Sequence, residues 1–118
     1  MMQVGRVLII SYRILNFMVF IYTTCANTEE AKVLGRLIID KKMGSCVDYW
    51  PINSMYNWEG DMKEVSQIMI VITTLESKLE EVNDLISKHH SYSIPLIAGV
   101  DIRRMNRAYK EWMTEKIV

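Results

Sequence analysis

Apolar positions along the chain change period several times, and each change marks an element. MVFIYTT (18–24) is a β-branched and aromatic run, which reads as a strand. In the following ANTEEAK, Asn27 stands as a helix N-cap with Glu30 three residues on, the spacing of a capping box. Ala31, Leu34, Leu37 and Ile38 then fall on one helical face, and Gly44 reads as the stop. From Ser45 to Trp58 the helical period disappears and strand composition takes over. Glu59–Gly60 reads as a tight turn, and Asp61 to Thr74 as a second arm. That arm ends in the continuous apolar run Ile68–Ile72, the pattern of a strand covered on both faces. A second helix is expected to open at Thr74, with Leu75, Leu79, Val82 and Ile86 as its stripe and Lys88–His90 at its end. IPLIAGVDI (94–102) reads as another strand with Pro95 near its start. Asn106 heads a short last helix carrying Tyr109, Trp112 and Met113.

The expected order is β-α-β-β-α-β plus a terminal helix. It predicts an α+β fold, a ferredoxin-like sandwich with two helices on one face of a four-stranded antiparallel sheet. The central hairpin is too long for such a domain. Two arms of roughly fourteen residues reach about 45 Å at strand rise, against a width of roughly 35 Å for a compact domain of this size. The overhang has open edges, and such edges pair with something. Tyr49, Trp50, Tyr56 and Trp58 lie on it, ring types enriched at interface centres. Pro51 is expected at a bulge or bend. Closed symmetry with sister copies satisfies such an edge without fibre growth. The competing reading is two short strands whose rings fill the monomer's own core.

Composition narrows the rest. Fourteen basic and fourteen acidic residues give zero formal net charge, so no strong field draws nucleic acid or an anionic membrane. Two cysteines make no disulfide framework, and reduced thiols in the cytoplasm are the expectation. Residues 1–17, MMQVGRVLIISYRILNF, interrupt an apolar stretch with Arg6 and Arg13 and fall short of a membrane span. They read as an upstream extension to a single domain at 18–118; a signal peptide is the minority reading of the same stretch.

The chain offers Cys25, Cys46, His89, His90 and nine methionines to a soft metal, but no Cys-x-x-Cys and no His-x-x-x-His, so no closed zinc site follows. Packing is the commoner fate of each. No nucleophile–base motif and no phosphate-cradling glycine loop is present, and the expectation is a protein that is not an enzyme.

The stretch CVDYWPINSMYNWEG, the segment HSYSIP (90–95) and AYKEW (108–112) resemble the CutA, or divalent cation tolerance, family, from about Met18 to about Met113. The resemblance implies a ferredoxin-like subunit in a homotrimer related in architecture to the PII signalling proteins. Its functional label is tolerance to copper and other divalent ions. Cys46 falls on the family's Cys-Val-Asn, with Asp48 in place of asparagine. Ser54, Tyr56, Trp58 and Gly60 fall on its hairpin motif, His90, Tyr92 and Pro95 on its His-x-Tyr-x-x-Pro, and Tyr109 and Trp112 on its closing Tyr-x-x-Trp. The segment before Ser54 is one residue shorter than the common version. Gln67, Thr73 and Leu96 stand where charged residues are frequent.

The resemblance thus implies a trimer interface at Tyr49, Trp50, Ser54, Tyr56, Trp58 and Gly60. It also implies an inter-subunit cleft at Tyr92, Tyr109 and Trp112, and weak binding of copper or another divalent cation at Cys46 and His90, with no cofactor required. The alternative is a PII-like signalling or scaffold protein that takes a small anionic ligand in those clefts.

Overall fold

The structure, a computed structural model, describes residues 17–117; the first sixteen residues of the expected extension lie outside them. Strand β1 (Met18–Cys25) leads to helix α1 (Thr28–Asp40), then to the hairpin arms β2 (Cys46–Trp58) and β3 (Asp61–Leu75). A 3-10 turn (Glu76–Lys78) precedes helix α2 (Leu79–His89), strand β4 (Ala98–Asp101) and helix α3 (Arg107–Lys116). All pairings are antiparallel in one sheet of order β2-β3-β1-β4. This is the expected ferredoxin-like arrangement.

The two faces of the sheet are covered unequally. Alternation puts Val19, Ile21, Cys25, Ile68, Ile70 and Ile72 on one face, where α1 and α2 bury them with Ala31, Leu34, Ile38, Val82, Leu85 and Ile86. The other face is covered only at one end, where α3 sets Met113 against Met18, Leu75, Ile102 and Ile117. Along the hairpin from Pro51 to Gln67 no side chain is buried. The described residues extend 60 × 30 × 26 Å, with a radius of gyration of 16.7 Å, against about 12.7 Å for a compact body of the span 17–117.

Four local expectations are corrected. Thr74 does not open a helix: β3 continues to Leu75, because Thr74 pairs with Val19 and its hydroxyl donates to the Met43 carbonyl. Strand β4 keeps only four of the nine expected residues, since 90–97 are drawn away into a loop. Pro51 makes no bulge. The register runs unbroken from Cys46↔Thr73 to Trp58↔Asp61, with Pro51 opposite Ile68. β2 is an edge strand, so a proline whose missing N–H faces outward costs the ladder nothing.

Gly44 does not end α1 either. Lys42 takes the left-handed position, φ 57°. Its N–H donates to Ile39 O, and that of Met43 to Ile38 O, a Schellman closure. Gly44 is small for another reason: a Cβ there would sit 2.9 Å from Ile72 Cγ2 and 3.0 Å from Ile38 Cγ2.

Glu59 and Gly60, at φ 52° and 87°, form a two-residue turn with both centres left-handed. Gly60 adopts this freely and its N–H donates to Asn57 Oδ1 at 3.1 Å; Glu59 does so at a steric cost. Glu59→Asn, which restores the favoured Asn-Gly pair, is expected to stabilise the protein by about 0.5–1 kcal/mol. A urea denaturation midpoint that fails to rise contradicts this.

Candidate functional site: an uncovered aromatic hairpin and a buried clasp

Register decides which hairpin rings act together. Trp50, Ile52, Ser54, Tyr56 and Trp58 pair with Met69, Gln67, Val65, Lys63 and Asp61, and all lie on the face away from α1 and α2. Tyr49 pairs with Ile70 and points to the helix-covered face. Trp58 is 57% exposed and Tyr56 46%, values large enough to rule out the reading in which these rings fill the monomer core. Beside them runs a groove of about 950 Å³, whose far wall is the loop at Tyr92, Ser93, Ile94 and Leu96. Ile94 and Leu96 are themselves exposed. Sequence reasoning missed this wall, because it assigned 94–102 to a strand.

The loop is fixed by a clasp at its start. The His90 side chain is fully buried. Its Nε2–H donates to Thr24 O at 2.6 Å, and its Nδ1 accepts from the Tyr92 N–H at 2.9 Å, a pairing that defines the neutral tautomer. Ser91 donates to Glu30 Oε1 from both its N–H and its hydroxyl at 3.0 Å, and the Tyr92 hydroxyl bonds Gln67 Oε1 at 3.0 Å. Glu30 thus serves twice. Its N–H donates to Asn27 Oδ1, completing half of the capping box, while its carboxylate reaches the Ala26 N–H, not that of Asn27.

Burial alone would raise the Glu30 pKa. The bonds from Ser91 and Ala26 outweigh it and hold the carboxyl below its ordinary value. The folded value therefore lies below the unfolded one. The clasp contributes fully above pH 4.5 and loses its contribution as pH falls through the lowered value. Glu30→Gln is expected to cost about 1–3 kcal/mol at neutral pH, and the gap to wild type should close in acid. A gap that stays constant in thermal unfolding across that range contradicts the assignment.

The expected metal ligands do not converge. Cys46 pairs with Thr73 on one side of β3, whereas Thr24, which holds His90, pairs with Met69 on the other. Those positions are about 13 Å apart along the strand. Both ring nitrogens of His90 are engaged, so it has no free donor for an ion. Among the described residues no group of three or more His, Cys, Asp and Glu side chains could hold a metal.

Cys46 lies instead beside Asp48, its thiol 3.7 Å from Oδ1, with the Tyr109 hydroxyl against Ser45 and Cys46. Burial, then the Asp48 charge, raises the thiol above 9.0 and keeps it protonated at neutral pH. Burial pushes the Cys25 thiol up to about 11. Tyr109 stacks with Trp112 at 5.4 Å between centroids, far from Tyr92. The three expected cleft residues therefore do not meet within one chain.

A sequence profile of the CutA1 divalent ion tolerance protein matches residues 19–116. The chain belongs to the CutA1 family. The divalent-cation tolerance protein CutA of Archaeoglobus fulgidus is 32% identical over 98 residues, 83% of this chain and 96% of that one. Its solved structure, described as that of a periplasmic protein, superposes with a TM-score of 0.82 at 31% identity over 84% of this chain and 97% of the other. The CutA of Thermococcus kodakarensis is 33% identical over 80% of this chain and 91% of its own. The CutA1 of Oryza sativa is similar in structure, with a TM-score of 0.84 at 30% identity over 86% and 94% of the two chains. Among the described residues no helix is long and apolar enough to cross a membrane.

Proposed function

We propose that this CutA1-family chain acts as a non-catalytic homotrimer in divalent-cation tolerance, held together by the exposed face of its hairpin. The observation that carries this reading is the stretch from Pro51 to Gln67, an extended β-ribbon with no buried residue and with Tyr56 and Trp58 bare on one face. An aromatic ribbon of that length is an interface waiting for its complement. A head-to-tail ring of copies supplies one without leaving an open end. Two free cysteines and no disulfide among the described residues suit a reducing compartment, in keeping with the cytoplasm.

Divalent metal, copper among the candidates, is bound weakly in this reading. Cys46 is the softest accessible donor, and Asp48 is its neighbour. Because the thiol is raised above 9.0, binding must displace its proton, so affinity rises with pH. Calorimetric titration of copper(II), under argon, into wild type and Cys46→Ala tests the assignment. Wild type should bind more tightly as pH rises and the variant should lose that binding. Equal binding by both removes Cys46 as a ligand. A small anionic metabolite is the less favoured occupant of the groove, whose lining offers a single cation, Lys63, amid apolar side chains.

A further inference from the structure

The hairpin tip is acidic, whereas the segment that follows β4 is basic from Arg103 to Lys110, between Asp101 and Glu111. At the hairpin tip, Glu59, Asp61 and Glu64 outnumber Lys63. At the far end, where Ile102 N–H bonds Met18 O and Met18 pairs with Leu75, the chain continues through Arg103, Arg104, Arg107 and Lys110 with no acid among them. Arg103, Arg104 and Arg107 are exposed, and the one ion pair found there among the described residues joins Arg107 to Glu111 of the same helix. β3 spans the distance between these ends, from Asp61 to Leu75, about 46 Å at strand rise. No tip can therefore reach the basic segment of its own chain.

The two ends also match in apolar character. The tip exposes Trp58 and Met62, and α3 exposes Tyr109 and Trp112 beside its cations. A ring closed by rotation needs two different surfaces on each copy, complementary to one another and far apart on the molecule. The acidic tip and the basic segment meet each of those requirements.

We propose that the 103–110 segment is the docking surface for the acidic hairpin tip of a second copy of this chain, so that charge sets the direction in which copies join. The assignment rests on the trimeric reading and adds to it the residues that fix which end meets which. Opposed charges at such a contact steer association, and where the contact desolvates them they also slow dissociation; both effects are stronger at low salt.

Charge reversal with rescue tests it. Arg103→Glu/Arg104→Glu and, separately, Asp61→Lys/Glu64→Lys should each speed subunit exchange at low salt by about tenfold or more, followed by native mass spectrometry of light and heavy protein. Combining all four changes in one chain makes the ends complementary again and should restore slow exchange. As a second readout on unmodified protein, a zero-length carboxyl–amine cross-linker should join Lys110 of one copy to a tip carboxylate of another. A trimer whose exchange is indifferent to the reversals, or whose Lys110 never links to the tip, overturns the docking assignment and leaves the trimer standing. A wild-type protein that is monomeric removes both.

Discussion

Replacing Tyr56 and Trp58 together by aspartate is expected to release monomers that remain folded. Both rings lie on the uncovered face of the hairpin, opposite Lys63 and Asp61, and neither touches the core under α1 and α2. In the proposed trimer each ring loses on the order of 100 Å² more of apolar surface to a neighbour. That contributes about 2–3 kcal/mol per ring and per copy. Aspartate forfeits this burial and brings a carboxylate that resists desolvation. Native mass spectrometry should show a loss of assembly affinity of at least about a thousandfold, while the far-ultraviolet circular dichroism of the fold stays unchanged. A double variant that assembles as wild type does would place the interface elsewhere.

Gly44→Val is expected to damage the fold itself. The absent Cβ would lie 2.9 Å from Ile72 Cγ2 and 3.0 Å from Ile38 Cγ2, and 3.4 Å from the Thr73 carbonyl. Both isoleucines are fully buried, and β-branching leaves their γ-methyls little room to rotate away. Overpacking of this kind costs about 3 kcal/mol or more once two further methyls are added, enough to lower Tm by roughly 10 °C or more. Gly60 offers the comparison: nothing lies within 4 Å of its missing Cβ, and its constraint is the positive φ alone. A Gly44→Val protein that melts with wild type would mean that the approach of α1 to β3 relaxes freely.

The sequence made the architecture legible wherever one period held over many residues. Ala31, Leu34 and Ile38 are buried as their spacing required, and the run Ile68–Ile72 lies centrally in the sheet, although it also includes Met69 on the open face. Boundaries set by tertiary bonds were not legible. Thr74 reads as a helix start in isolation, but its place in the sheet and its bond to Met43 carry β3 past it. The stop of α1 fell on Lys42 and not on the glycine two residues on, because Gly44 was needed for close packing. Pro51 looked like a bend, since edge position is a property of the sheet and not of the local residues.

The site was half legible. Ring-rich composition marked the hairpin, and alternation sorted Trp50, Tyr56 and Trp58 from Tyr49 once the register was known. What escaped was the clasp. Glu30 showed its role as a helix-capping acid, but nothing in its spacing announced Ser91, sixty-one residues away. His90 was legible as a hydrogen-bonded packing residue more than as a ligand, but its partners, Thr24 O and the Tyr92 N–H, were not.

Sedimentation equilibrium of the wild-type protein at micromolar concentration probes the assembly most directly. Three times the 13.8 kDa of one chain, about 41 kDa, is the mass expected for the species present. A single species at 13.8 kDa would mean that a folded CutA1-family chain tolerates its bare aromatic ribbon in water, and the account of the hairpin as an interface would be wrong.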